Sequence, residues 1–283
     1  MRTTRPFVLF LAKLFRRRLV LIGAVVLGLQ LLAAVFASLI SAHDPLELKV
    51  LERLHPPSMA NLLGTDEFGR DVFARIIHGG RYSLTIGLAV VALSGLGGLL
   101  LGLLAGYFTK LDGPIMRLVD ALMSFPDILL AIALMAILGA AVSNVVLALS
   151  LVYTPRVARV VRASTLVLRE MLFVEAARAL GVSTRRILSV HIFRNLTSPL
   201  LVQATFIFAY AILAEASLSF LGVGVPPELP TWGSMIASGQ QFSHDAFWVV
   251  LFPGIAIVLA ALSLQMVGDG LRDMLDPRLR KAL

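Results

Sequence analysis

The 283-residue sequence contains no cysteine, which excludes disulfides, thiolate metal sites and cysteine nucleophiles. Charge is also scarce. Asp, Glu, Lys and Arg make up 15% of the chain, against about 25% in a soluble globular domain, and 58% of it is hydrophobic. Such a composition belongs to the membrane class. Only four lysines occur, Lys13, Lys49, Lys110 and Lys281, and none follows a glycine. The Gly-Lys-Ser/Thr that cradles nucleotide phosphates is therefore missing from this chain.

What is present is a series of long apolar runs. A membrane-spanning helix needs about 20 consecutive apolar residues, and six segments qualify: about 19–41, 83–107, 117–139, 143–162, 199–222 and 246–269. The third is interrupted in its first half by Asp120, Pro126 and Asp127, and only "GAAVSN" separates it from the fourth. Strands of a β-barrel would alternate in short segments of about ten residues, so the expectation is an all-α membrane protein with six transmembrane helices. The first span follows "RTTRPFVLFLAKLFRRR", which has the charge of a signal peptide's start. Its apolar run exceeds the usual core of about 7–15 residues, and it reads as an uncleaved anchor.

The net charge of +8 is distributed by side. The N-terminus, the 107–117 connection, the 156–195 stretch and the tail carry 20 of the 25 Lys and Arg residues; 42–81 carries five and 223–245 none. Basic residues accumulate on the cytoplasmic side, so both termini are expected there, in the cell inner membrane. The basic character is topological, and no nucleic-acid partner is read from it.

Within the second span, "GLLLGLLAG" sets Gly98, Gly102 and Gly106 four residues apart on one helix face, a spacing that lets helices approach closely in lipid. The main composition shift falls near Gly79–Arg81. It divides the chain into residues 1–80, an anchor helix plus external loop, and 81–283, a five-helix unit with a cytoplasmic loop at about 163–197 and a tail.

That loop contains "EAARALGVSTRRI". At 100° per residue, Leu172, Phe173, Ala176, Ala177 and Leu180 share one arc, with Glu175 and Arg178 outside it. Gly181 is placed to terminate this amphipathic helix, and Ser183 to cap a second one starting at Thr184. Such a pair makes a protruding knob. A helix lying on anionic lipid is the competing reading; a partnerless solvated loop is another.

Glu175, Ala176, Ala177 and Gly181 match the E-A-A…G pattern of the cytoplasmic EAA loop in ABC-importer permeases. Nine residues further on, where that pattern has I-x-L-P, this chain has His191, Phe193 and Arg194. "LLGTDEFGRDVFARIIHGGRYSL", "ILAEASLSFLGVGVPPELPTWGSMI" and "GDGLRDMLDPRLR" are similar to segments of the same family's dipeptide/oligopeptide/nickel branch. The resemblance extends over most of 60–280. It implies a permease subunit that moves peptides, or alternatively nickel or another small solute, and does no covalent chemistry. It implies ATPase coupling through Glu175, Ala176, Ala177, Gly181, Ser183 and Arg185. It also implies a second homologous permease subunit, two cytoplasmic ABC ATPase subunits and a periplasmic substrate-binding protein. No cofactor is expected in this chain, ATP and Mg being bound by the partner subunits.

Intramembrane carboxylates are functional candidates because a charge there is costly. Glu215, placed near the middle of span five, and Asp120 are taken as lining the translocation path. For Glu215 the competing reading is structural, either protonated or satisfying a polar group of a neighbouring helix; for Asp120 and Asp127 it is also structural, satisfied by water or by Arg117. Glu215 and Asp120 would also serve a rival class, an ion-driven secondary transporter with these residues as proton carriers. Outside the membrane, His43, Asp44, His55, Asp66, Glu67, Asp71 and His78 match no metal-ligand spacing, and no metal site is expected. Loops 42–81 and 223–245 are expected to receive the binding protein.

Overall fold

The computed structural model describes residues 17–275. Arg2, Arg5, Lys13 and Arg16, and Arg278, Arg280 and Lys281 of the tail, lie outside them. The described chain is helical, with one isolated antiparallel bridge, Thr65 to Asp71. Nine helices organise it: α1 (Arg18–Val35), α2 (Val72–Tyr107), α3 (Thr109–Met123), α4 (Asp127–Leu138), α5 (Val142–Arg169), α6 (Leu172–Ala179), α7 (Phe193–Phe220), α8 (Trp232–Gly239) and α9 (Trp248–Leu275).

Five helical runs are long and apolar enough to cross a membrane: α1, α2, α5, α9 and the run from Thr184 through α7. The third predicted span is different. Ser124, Phe125 and Pro126 break it, and α3 and α4 meet at 91°. Proline disfavours the α conformation in the residue before it, which explains the break at this point. α4 alone, 12 residues and about 18 Å long, is shorter than the roughly 30 Å hydrocarbon core.

The α2–α5 contact is the spine of the bundle. A Cβ built on Gly98, Gly102 or Gly106 would fall 2.3 Å, 2.6 Å and 2.6 Å from Val157 Cβ, Ala158 O and Thr165 Cβ respectively. The small-residue face expected from sequence is thus the packing face against α5. Around it, Ile86, Val90, Leu149, Val157, Val161, Ile207 and Leu218 form the main apolar core. A second cluster joins α1, α7 and α9 through Ala34, Ile212, Ile257 and Leu264. Arg81 closes the end of α1, its guanidinium donating to the carbonyls of Ala34 and Val35 at 2.5 Å and 2.9 Å. α2 itself runs unbroken through Gly79–Arg81, so the change in composition there is no break in the backbone.

The connection before α2 is built rather than loose. Asp66 accepts from the backbone N–H groups of Phe68 and Arg70, both at 2.9 Å, and from the Arg70 guanidinium at 2.6 Å. Arg75, almost fully buried, lies 3.4 Å from the same carboxylate. Gly69 has φ +74°, and a Cβ there would sit 1.8 Å from the Lys49 carbonyl oxygen. Asp71 caps α2 by accepting from the Ala74 N–H at 2.8 Å. Across the bundle, α8 is held by a reciprocal capping box between Thr231 and Ser234. Trp232 fixes it to α2, its backbone N–H donating to Ser83 Oγ at 3.1 Å and its indole N–H to the Ile76 carbonyl at 2.9 Å.

Candidate functional site

The helix containing Glu175 ends as the sequence predicts. Gly181 has φ +75°; its N–H donates to the Arg178 carbonyl at 2.9 Å, and the N–H of Val182 donates to the Ala177 carbonyl at 3.0 Å. These two bonds are a Schellman motif. The second expected helix starts at Thr184, but Ser183's hydroxyl makes no capping bond. Nor is it separate. A six-residue π-helical segment, Ile187–Ile192, carries it straight into α7. With Arg194 where the family pattern has proline, nothing breaks the helix.

α6 packs through one edge of the arc read from sequence, rotated toward Val174. Val174 and Ala177 are its buried residues, and they join the main core with Ile187 and Ile192. Leu172 and Leu180, members of that arc, are 81% and 83% exposed, and Phe173 and Met171 are also exposed. The difference arises because only a narrow strip of small side chains meets α5, and the bulky ones point away. Glu175, Ala176 and Arg185 are exposed on the same projection. Arg178 reaches back, its guanidinium carbon 5.3 Å from the Tyr107 ring centroid, and Phe173 lies 6.3 Å from the His191 ring. The result is a rigid projection with an uncovered apolar surface.

Glu215 is placed elsewhere than its sequence position suggested. It lies five residues before the end of α7, about 8 Å along the axis, and is 1% exposed. Its Oε1 accepts from Ser219 Oγ at 2.9 Å and from Thr231 Oγ1 at 2.8 Å. Gly233 stands against it: a Cβ there would be 2.5 Å from the Ala216 Cα. The carboxylate thus fastens α8 to α7.

Asp120 sits on α3 and is exposed, with Arg159 donating to it at 2.7 Å. Asp127, at the start of α4, pairs with Arg156, and Asp112 with Arg162, whose Nη2 donates at 2.6 Å. Arg117, the partner considered from sequence, takes no part in these pairs. Four of the eight basic residues assigned to the 156–195 stretch therefore lie inside α5, and three of them, Arg156, Arg159 and Arg162, are neutralised across α3 and α4. Sequence reading missed this ladder. Its signal was arginines three residues apart near the end of an apolar helix, preceded by three aspartates in a segment too polar to span cleanly.

In the connection before α2, His43 Nδ1 is 3.8 Å from Asp71 Oδ2, while Asp66 and Glu67 are both engaged by Arg70. Burial pushes the Asp71 carboxyl above its ordinary range, against the opposing pull of the Ala74 N–H and His43. Glu67 is likewise raised, by burial first and then by neighbouring Asp66. No three His or acidic side chains converge to hold a metal among the described residues.

Residues 98–281 match the model of the binding-protein-dependent transport system inner membrane component, and residues 5–57 that of the N-terminal TM domain of oligopeptide transport permease C. A Brucella suis chain assigned to peptide transport system permeases is 51% identical over 275 residues, covering 97% of this chain and 93% of its own. The di/tripeptide transport system permease protein of Pseudomonas aeruginosa is 44% identical, over 92% of this chain and 88% of its own. The dipeptide transport system permease protein of Escherichia coli is 44% identical, over 94% and 91%. Among solved structures, an inward-facing form of the MetNI methionine ABC transporter shares the fold, with TM-score 0.52 and 20% identity over 69% of this chain and 94% of that one. With this helical architecture, its membrane-crossing runs and these matches, the chain belongs to the binding-protein-dependent transport system inner membrane components, the permease subunits of ABC importers.

Proposed function

We propose that this chain is a peptide-translocating permease subunit. It would pair with a second, related permease subunit and be driven by two ATPase subunits seated on the α6 projection. The observation that carries the coupling role is the outward display of Leu172, Phe173 and Leu180 beside Glu175, on a helix ended rigidly at Gly181. Such a surface is costly in water and fits a protein groove. Peptide as cargo rests on relatives at 44–51% identity that are peptide, dipeptide and di/tripeptide permeases by name. The basic asymmetry supports cytoplasmic termini, and the structured loops before α2 and around α8 are suited to a binding protein on the other side. Asp120 and its neighbours are offered as path residues.

The test is reconstitution in vesicles with the ATPase subunits and binding protein. ATP-dependent uptake of dipeptides is expected, with competition from other peptides and none from nickel. Gly181→Val should abolish coupling, because a β-branched residue resists positive φ at a cost of about 1–2 kcal/mol or more. A Cβ at Gly181 meets nothing within 4 Å, so the effect would come from backbone conformation alone. Glu175→Lys should lose uptake and substrate-stimulated ATP hydrolysis while the subunit inserts normally. A helix that merely lies on anionic lipid would tolerate that added positive charge, and wild-type coupling in both variants would defeat the docking reading.

A further inference from the structure

We propose that Asp127, Arg156 and Tyr210 form a substrate-contact site midway through the membrane, which takes the charged ammonium and carboxylate ends of a short peptide. The proposal rests on the permease reading and adds where, and with which groups, the cargo is held.

Depth is the first argument. α4 and α5 meet at the hairpin 139–141, which marks one membrane face. Asp127 lies 11 residues before Leu138, and Arg156 lies 14 residues after Val142, which places them about 17 Å and 21 Å from that face along their helices. Against a hydrocarbon core of about 30 Å, both are near mid-depth. This holds whichever face is cytoplasmic.

Exposure is the second. The Arg156 and Asp127 side chains are 35% and 41% exposed, and Tyr210 is 44% exposed. A charged group facing lipid at this depth costs about 2.5–3.5 kcal/mol even on the mildest scale. An open ion pair is therefore expected to face water or a polar ligand. Its geometry is fixed in advance. The Arg156 guanidinium carbon lies 5.6 Å from the Tyr153 ring centroid and 5.3 Å from that of Tyr210. Tyr153, buried, donates from its hydroxyl to the Tyr210 backbone carbonyl at 3.3 Å. Both rings lie against one side of the cation, their centroids 6.5 Å apart, which leaves guanidinium edge donors for a carboxylate.

The third argument is continuity. Arg159 with Asp120, and Arg162 with Asp112, carry the same chemistry two further steps along α5, with the middle pair 50% and 62% exposed. An apolar helix in lipid has no use for this track. A zwitterion does: opening one Asp–Arg pair and inserting a peptide's two termini exchanges one ion pair for two. A bare divalent cation would meet a single carboxylate with an arginine beside it.

The experiment uses the full complex in vesicles and exploits the absence of cysteine from this chain. Tyr210→Cys is expected to react with a charged, water-soluble methanethiosulfonate, and saturating dipeptide delivered by the binding protein is expected to slow that reaction. No reaction, as for a residue covered by the second permease or by lipid, would overturn the proposal, as would a rate indifferent to peptide. Asp127→Asn and Arg156→Gln are each expected to lower dipeptide uptake about tenfold or more, the loss of one charge-assisted contact. The exchanged pair Asp127→Arg with Arg156→Asp is expected not to restore it. Restoration would show that the pair serves only itself. Absence of peptide uptake by the wild-type complex would count against the permease reading instead, whereas wild-type uptake with unaffected variants defeats the site alone.

Discussion

A buried carboxylate whose hydrogen bonds come from two hydroxyls is a fastening, and Glu215 has that arrangement with Ser219 and Thr231. Glu215→Gln keeps an acceptor at the same place and should retain assembly. Glu215→Ala leaves two buried hydroxyls without their acceptor, at a cost of about 1–3 kcal/mol. Glu215→Lys places an ammonium where no acidic side chain stands, and should lower the thermal midpoint in detergent further still. A Lys variant as stable as wild type would sink this account. Asp71 offers a contrast outside the membrane. Burial raises its pKa above the ordinary 3.8, so the ionised form costs stability, lost as pH rises through the folded pKa. Asp71→Asn keeps the cap without the charge and should match or exceed wild-type stability at pH 7, with the advantage vanishing at low pH. Asp71→Ala loses the cap and should cost about 1 kcal/mol. Sequence flagged Glu215 because a charge in an apolar run is conspicuous. What it could not supply was the loop that folds back over it, since Thr231 is 16 residues away and its approach depends on α8.

Helices in lipid associate by close fit, and the α2–α5 pair shows which glycines carry that fit. Gly102→Ala would place a methyl 2.6 Å from the Ala158 carbonyl oxygen and from Val161 Cβ, whereas a Cβ on Gly95 of the same helix meets nothing within 4 Å. Gly102→Ala should therefore destabilise by about 1–3 kcal/mol as an overpacked contact. Gly95→Ala should be neutral or gain up to about 1 kcal/mol from helix propensity. Thermal unfolding of the two variants side by side decides it; equal midpoints would refute the packing role. This face was legible because small-residue spacing is a local pattern. The α6 turn at Gly181 was legible for the same reason. The burial of α6 was not: Leu172 and Leu180 obey helical periodicity, yet an apolar stripe marks any surface that will be covered, including one awaiting another protein. The α3–α4 break was half visible, as Pro126 flanked by Asp120 and Asp127, but its 91° angle and the ion pairs from both helices to α5 appear only in the fold.

At the scale of the molecule, the two ends of the described chain decide how many times it crosses the membrane. Arg17 pairs with Asp273, and Val20 packs so tightly on Gly270 that a Cβ there would fall 2.2 Å from Val20 Cγ2. Both ends thus lie on one side, which requires an even number of crossings. The full-length helices supply five. The sixth must come from the broken α3–α4 segment, with the inclined α3 completing what α4, about 18 Å long, cannot span alone. The 139–141 hairpin, with Ser143 in the first turn of α5, and the α8 loop then lie on the face opposite Arg186. The basic asymmetry favours the Arg186 face as the cytoplasmic one, and it survives the removal of Arg156, Arg159 and Arg162 from the loops because 223–245 holds no Lys or Arg at all. Ser143→Cys and a reporter fused after Gly239 should accordingly be reached from outside the cell membrane, and a reporter fused after Arg186 only from the cytoplasm. Labelling of Ser143→Cys from the cytoplasmic side alone would mean that α4 turns back without crossing, and the six-crossing arrangement would fail.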